Sequence, residues 1–326
     1  MGTLGCVTRT APRTAILRDQ RRKRAFTLAN QQAGVVSRRQ IYRLGLTRAE
    51  VLANIKAGRW QRLLSQSIYV HTGPVPELAR LWAAVFEAGP RAFLDGESAL
   101  VAAGLVNYRL TSTRVSVPRG AQVRRGKGLN IRQTRRWRAD DVMTGIGVPR
   151  TRPAVACIRA ALWAKSDRQA ALLVTMAVQQ GLVTVALLVQ EMMRIRRDRR
   201  RLLLHDVLLD LHGGVRSLGE LDFARECRRR GMPEPDRQTV RRGRDGRYYL
   251  DVEWTTWGVV VEIDGIQHSW AEHQVPDALR QNDVSLSGAT VLRLPLLGLR
   301  VAANEFFEQI ERALRTAGYL DPSRSA

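Results

Sequence analysis

Hydrophobic and polar positions change their period along the chain, and these changes predict a mixed α/β protein. Apolar residues recur at helical spacing within residues 25–56, 76–103, 151–211, 217–230, 275–287 and 303–317. Alternation with a period of two predicts short strands within residues 60–70, 114–133, 239–264 and 290–294. Segregated helices and strands of this kind indicate an α/β (α+β) fold class with several domains.

Residues 25–72 carry a helical pattern. Ser37 is placed to cap one helix, and Thr47 with Glu50 forms the capping box of the next. Two short β-prone runs follow on either side of Ser65-Gln66. Helix, helix, turn, helix and hairpin is the order of a winged helix-turn-helix, whose third helix enters the DNA major groove. The candidate DNA contacts are Arg48, Asn54, Lys56, Arg59, Gln61 and Arg62. The alternative is a small helical domain used only for protein contacts.

The patterns divide the chain into six regions. They are a basic flexible arm (1–24), the winged helix-turn-helix (25–72), a small α/β region (73–150), a helical connector (151–215), an αβββαβ domain (216–319) and a tail (320–326). Within the connector, one long helix is predicted from Thr184 towards Leu211. We expect the basic run at 194–201 to form the outer face of that helix.

Charge is distributed unevenly along the 326 residues, whose formal net charge is +23. Residues 1–200 contain 36 basic and 11 acidic residues, whereas residues 201–326 have a net charge of −2. A soluble region this basic predicts nucleic acid as the partner. A basic turn between two predicted strands is a further phosphate-binding candidate, with a solvated hairpin as the alternative. Its members are Arg119, Arg124, Arg125 and Lys127.

Cysteine usage and hydropathy favour a cytoplasmic protein that makes no membrane contact. Cys6, Cys157 and Cys227 lie far apart and form no CxxC pair, as expected in a reducing compartment. The basic N-terminus lacks an apolar signal core, and no apolar run reaches the ~18 residues of a membrane helix.

Four acidic residues lie on two neighbouring predicted strands. Asp251 and Glu253 share one face, and so do Glu262 and Asp264, because side chains two apart point the same way. A turn centred on Thr255-Thr256 would place Asp251 opposite Val260, with Glu262 as a diagonal neighbour at roughly 7–8 Å. The opposite face is predicted to be buried and consists of Tyr248, Leu250, Val252, Val259, Val261 and Ile263. Carboxylates at this separation predict a site for Mg²⁺ or Mn²⁺, with Glu253 favoured as a surface residue.

The acidic spacing resembles that of the PD-(D/E)xK nuclease superfamily. More narrowly, Tyr249-Leu250-Asp251, Glu262-Ile263-Asp264-Gly265, Gln267-His268 and Val291-Leu292-Arg293-Leu294 look like the very-short-patch-repair-related family called domain of unknown function 559. The segment Asp277-x-x-Arg280-Gln281-Asn282 extends the resemblance.

This resemblance implies a metal-dependent endonuclease fold with Asp251 and Glu262 as metal ligands, and Asp264 beside them is a further candidate ligand. Asp264 stands where many members of the superfamily have lysine, and no lysine follows Lys165. His268, Gln267 or Arg280 would then take the role of that lysine, and Glu220 would join from the preceding helix. The alternative, purely structural roles are a helix cap for Glu220, a loop hydrogen bond for His268 and a surface ion pair of Arg280 with Asp277.

The N-terminal part resembles AbiEi-type antitoxins. The resemblance is carried by Leu44-Gly45-Leu46-Thr47, Gly58-Arg59-Trp60-Gln61-Arg62, Phe93 to Gly104 and Val115 to Arg119. It implies a DNA-binding regulator and transfers no catalytic residue.

Two functions of different classes, and a weaker third, follow from these patterns. The first is a DNA-binding, metal-dependent endonuclease that hydrolyses phosphodiester bonds. The second is a non-enzymatic transcriptional regulator of antitoxin type with a degenerate nuclease-like domain. The third is an adaptor that recruits a separate nuclease. DNA is the expected partner in the first two, and a homodimer with a second copy of the chain is a further candidate assembly.

Overall fold

The computed structural model describes residues 13–121, 126, 128–134, 138–213, 220–242, 248–264, 275, 278–279, 282 and 291–320. These residues form twelve α-helices and three sheets, which confirms the mixed α/β class. The chain divides into two compact units. The N-terminal unit contains residues up to 102 and 108–152, and the C-terminal unit contains residues 103–107 and 153 onwards.

The N-terminal unit begins with a helical segment closed by a small sheet. Its elements are α1 (Arg13–Asn30), β1 (Val35–Ser37), α2 (Arg38–Arg43), α3 (Arg48–Lys56), β2 (Gln61–Arg62) and β3 (Ser67–Tyr69), with sheet order β1-β3-β2. Capping boxes open both short helices: Ser37 with Gln40 for α2, and Thr47 with Glu50 for α3. Local side-chain chemistry therefore sets these helix starts, as predicted.

Helix α1 corrects the prediction of a flexible arm over residues 1–24, because it already begins at Arg13. Ala25 and Ala29 are fully buried in a core with Val36, Ile41 and Val51. This burial holds the second half of α1 in place and makes it part of the domain. Residues 1–12 lie outside the described part of the chain.

A second sheet completes the N-terminal unit. Its elements are α4 (Glu77–Ala88), β4 (Phe93–Leu94), α5 (Gly96–Ala102), β5 (Thr113–Pro118), β6 (Leu129–Thr134), β7 (Val142–Met143) and β8 (Arg150–Thr151), with sheet order β6-β5-β4-β8-β7. Strands β5 and β6 pair in parallel, so the alternative of a solvated hairpin across residues 119–127 is wrong. The parallel pairing runs from Thr113 opposite Leu129 to Pro118 opposite Thr134.

The C-terminal unit opens with four helices: α6 (Pro153–Trp163), α7 (Asp167–Gln179), α8 (Val185–Met193) and α9 (Arg201–Gly213). The prediction of one long helix from Thr184 to Leu211 is wrong, because the chain leaves the helix between Met193 and Arg201. The basic run supplies the reason. Arg200 is 2% exposed and donates to the Leu162 carbonyl of α6 and the Asp167 carboxylate of α7. It is therefore buried and joins these two helices, and it is not part of an outer face.

A four-stranded sheet follows these helices. Its elements are α10 (Glu220–Arg229), β9 (Arg237–Arg242), β10 (Tyr248–Trp254), β11 (Val259–Asp264), β12 (Val291–Pro295), α11 (Leu296–Val301) and α12 (Ala303–Thr316), in the sheet order β12-β11-β10-β9. The predicted strands and the first and last helices are confirmed, and α11 was not predicted. Most of the helix predicted at 275–287 lies outside the described residues.

One face of this sheet is buried in the C-terminal unit. Leu250, Val252, Val259, Val261 and Ile263 are at most 1% exposed, as the alternation predicted. Phe223 of α10 packs against Trp254 on this face, with ring centroids 6.2 Å apart, and Phe307 of α12 packs against Phe223 at 5.2 Å. The other face is therefore the one that carries the acids. No helix in the part of the chain that the structure describes is long and apolar enough to cross a membrane.

Candidate functional site

The register of β10 and β11 brings two of the predicted acids face to face. Asp251 pairs directly with Glu262, and Leu250 with Ile263. The prediction that Asp251 lies opposite Val260 is therefore wrong, because it assumed a two-residue turn. Directly opposed residues on antiparallel strands have Cβ atoms about 5 Å apart, closer than the predicted diagonal.

A four-residue turn causes this register. Trp254 pairs with Val259, which leaves Thr255 to Gly258 as the loop. Gly258 has a φ of +61°, a conformation that side chains with a Cβ disfavour. Asp236 fixes the start of the turn, since its carboxylate accepts hydrogen bonds of 2.7 Å from both the backbone N–H and the hydroxyl of Thr255. These bonds lower the pKa of Asp236, so the carboxylate is charged when it holds the turn.

The acidic face surrounds this opposed pair. Asp264 lies two residues beyond Glu262 on the same face, and Glu253 lies two residues beyond Asp251, opposite Val260. All four acids are partly buried. Carboxylates with this arrangement supply hard oxygen donors, the type that Mg²⁺ and Mn²⁺ prefer.

An arginine that the sequence analysis did not single out as a site residue lies beside the pair. Arg293 on the parallel neighbour β12 is in register with Glu262, and its Nε lies 3.7 Å from Glu262 Oε2. Its side chain is 57% exposed, so the ion pair is open to solvent and stabilises the fold little. The signal was available in Val291-Leu292-Arg293-Leu294, where a strand of alternating apolar residues places a cation on the polar face.

Buried amides hold Arg293 in place. Asn282 is 2% exposed, and its side chain both donates to the Arg293 carbonyl and accepts from the Arg293 N–H, each at 2.8 Å. Gln309 accepts from Asn282 at 3.0 Å and donates to the Leu279 carbonyl. A side chain thus takes the place of a fifth strand at the edge of β12 and fixes the backbone beneath the arginine.

Other predicted members of this site are outside what the structure describes. Gln267, His268 and Arg280 lie in undescribed segments, and so does Asp277. Glu220 begins helix α10, but its side chain is not among those described. Within the described ranges, no three His, Cys, Asp or Glu side chains are grouped closely enough to hold a metal ion.

The predicted DNA contacts divide into exposed cations and residues with internal partners. Arg48 and Lys56 on α3, with Arg59 and Arg62 beyond it, are exposed. The N-cap residue of α3 is held by Glu50, whose pKa is lowered first by the backbone hydrogen bond from Thr47. Asn54 bonds Arg59 Nε at 2.8 Å and the Glu50 carbonyl at 2.8 Å, so it positions Arg59.

The hairpin is tied to the body of the N-terminal unit. Gln61 donates to the carbonyls of His71 and Gly73 at 3.2 and 2.8 Å, which fixes the base of the hairpin. At its tip, the Ser65 hydroxyl and the Gln66 N–H donate to Glu87 of α4 at 2.5 and 2.9 Å. Glu87 is 6% exposed, so this tip is docked on α4.

The basic turn after β5 is described only at its first cation. Arg119 is exposed, whereas Arg124, Arg125 and Lys127 lie outside the described residues.

A scan of the chain against protein-family models gives no match, and a search of curated proteins gives no match either. The two family resemblances therefore rest on the sequence motifs alone and remain predictions.

The opposed carboxylates predict an unusual response to charge removal. In chelator, Asp251→Asn should leave the local stability of β10 and β11 unchanged or raise it by up to about 1 kcal/mol, because like charges directly opposite each other repel. Amide hydrogen exchange of the two strands measures this stability. Glu253→Gln is the matched control, since Glu253 faces Val260 and Arg237 and should give no gain. A larger loss from Asp251→Asn than from Glu253→Gln would contradict the repulsion.

Proposed function

We propose that the chain is a DNA-binding, metal-dependent endonuclease that hydrolyses phosphodiester bonds in DNA. The observation that carries this proposal is the pairing of Asp251 with Glu262 on the polar face of a sheet, with Arg293 in register beside them. Two directly opposed carboxylates on one face repel each other, and a bound cation would relieve that repulsion. A divalent ion and a phosphate are ligands that match both charges.

The N-terminal unit supports DNA as the substrate. Its first elements follow in the order helix, strand, helix, helix and hairpin, with the sheet order β1-β3-β2, which is the arrangement expected of a winged helix-turn-helix. Helix α3 presents Arg48 and Lys56 to solvent and is the candidate major-groove helix. Because the hairpin tip is docked on Glu87, phosphate contacts are expected from the helices and from Arg62, and not from the tip.

The donor set at Asp251 and Glu262 fits a divalent ion, with Asp264 as an outer ligand. Asp251 and Glu262 would hold the ion, and water and a phosphate oxygen would supply its other oxygen ligands. When bound, such an ion polarises the phosphate and makes its bound water more acidic. The two carboxylates would hold the ion, and the four-residue turn sets the register that places them opposite each other.

Arg293 accounts for the positive charge that the missing lysine would otherwise supply. Its guanidinium is always charged and carries several N–H donors that match phosphate oxygens. Asn282 donates to the Arg293 carbonyl and accepts from the Arg293 N–H, which fixes the backbone from which the guanidinium extends. In this proposal, Arg293 binds the phosphate and Asn282 positions Arg293.

A non-enzymatic regulator is the second candidate, and specific observations favour it. The position after Glu262-Ile263 is Asp264 and not lysine, and no lysine follows Lys165. In a regulator, the Glu262–Arg293 ion pair would be a structural remnant, and DNA binding by the N-terminal unit would be the whole function.

DNA binding should depend on α3. Arg48→Ala should weaken duplex binding several-fold and reduce the slope of log affinity against log salt by about 1, the value for one lost phosphate contact. Fluorescence anisotropy over a range of salt concentrations measures both quantities. Arg80→Ala is the matched control, because Arg80 is an exposed arginine of the same unit that lies on α4 and not on α3. Equal affinity in Arg48→Ala and the unaltered protein would remove α3 from the interface.

Cleavage should depend on the opposed acids. Asp251→Asn and Glu262→Gln should each lower Mg²⁺- or Mn²⁺-dependent plasmid cleavage by roughly a hundredfold or more, since each removes a ligand of an ion that supplies several kcal/mol. Asp264→Asn should lower it less, Glu253→Gln should leave it nearly unchanged, and all four variants should keep their DNA affinity.

The same assay decides between the two candidate functions. Cleavage that survives both Asp251→Asn and Glu262→Gln would place the active site elsewhere. An unaltered protein that binds DNA but cleaves no plasmid with either ion would favour the regulator.

A further inference from the structure

We propose that the N-terminal unit contains a binding groove for a nucleoside phosphate, between the second half of α1 and the end of α3. The groove has a volume of about 920 Å³, within the range of about 300–1,000 Å³ typical of small-ligand sites. We call it the α1–α3 groove, and its lining includes Arg22, Lys23, Phe26, Asn54, Arg59 and His71. All of its lining residues belong to the N-terminal unit, so this inference does not rest on endonuclease activity.

Three cations at the groove match a phosphate. Arg22 and Lys23 come from α1, and Arg59 follows α3. Asn54 accepts from Arg59 Nε at 2.8 Å and is itself bonded to the Glu50 carbonyl. This chain of bonds orients the guanidinium, which is the group best suited to phosphate oxygens.

One carboxylate competes with the ligand for two of these cations. Asp19 accepts from Arg22 at 2.9 Å and pairs with Lys23 at 3.0 Å. The ion pairs are exposed to solvent and therefore weak, so a doubly charged phosphate can displace them. Removing the Asp19 carboxylate should then strengthen phosphate binding. If its ion pairs were only structural, the same change would not strengthen phosphate binding.

Aromatic rings at the same groove match a base. Phe26 is 45% exposed on α1, and its ring centroid lies 5.0 Å from that of His71, which lies 5.1 Å from Tyr69. Gly34 is needed for this cluster, because a Cβ at that position would lie 2.6 Å from ring atoms of both His71 and Tyr69. An exposed aromatic side chain beside cations is the combination that binds bases and phosphates together.

Titration calorimetry of the full chain with deoxyadenosine 5′-monophosphate tests the proposal. We expect binding, with deoxyadenosine or inorganic phosphate alone weaker by roughly tenfold or more, since each has only half of the contacts. A short single-stranded oligodeoxynucleotide separates the sources of the ligand. If the oligonucleotide binds more tightly than the mononucleotide, the ligand of the groove is a DNA strand. If it binds no more tightly, the ligand is a free nucleotide. Both results support a nucleoside phosphate site in the groove.

Variants on each side of the groove complete the test. Arg59→Ala and Phe26→Ala should each weaken nucleotide binding by roughly tenfold, and Asp19→Asn should strengthen it several-fold. Phe26→Leu replaces Phe26→Ala if the latter lowers the melting temperature. Arg48→Ala and Arg80→Ala should leave nucleotide binding unchanged, so a failure of the duplex interface is distinguishable from a failure of the groove. No nucleotide binding, or equal losses in Arg59→Ala and Arg80→Ala, would overturn the proposal.

Discussion

The register of the β10–β11 hairpin is the constraint on which the proposed active site depends. Four turn residues, Thr255 to Gly258, set the pairing of Asp251 with Glu262, and Asp236 holds the first of them. A shift of one residue would send the acids into the apolar face. A shift of two, as a two-residue turn would give, would separate the pair and remove Arg293 from the same row of residues. The alternation of the strands and the length of the turn therefore act together.

Basic residues in this protein serve as much to build the fold as to bind ligands. Arg200 is buried and joins Leu162 to Asp167, and Arg21 pairs with Glu50 at the start of α3 at 3.0 Å. The high net charge alone therefore overstates the number of cations available for DNA. Exposed residues such as Arg48 and Lys56 are the ones that can contribute to a salt-dependent interface.

Local patterns predicted the elements well, and non-local contacts explain what the sequence did not reveal. Local sequence was enough to predict the helix starts at Ser37 and Thr47 and the alternating strands around Asp251, because these features depend on neighbouring residues alone. The parallel pairing of β5 with β6 and the burial of Ala25 depend on distant partners that no local pattern encodes. The predicted hairpin register was wrong because the turn has four residues and not two. Asp236, nineteen residues before Thr255, stabilises this longer turn.

Titration of Mn²⁺ into the metal-free chain, without DNA, tests most directly whether the opposed acids form a metal site. The account predicts a binding heat for the unaltered protein that is lost in Asp251→Asn and in Glu262→Gln and retained in Glu253→Gln. Each of these substitutions removes one carboxylate charge, so a general charge effect would alter all three equally. No binding by the unaltered protein, or the same heat in all three variants, would contradict the account.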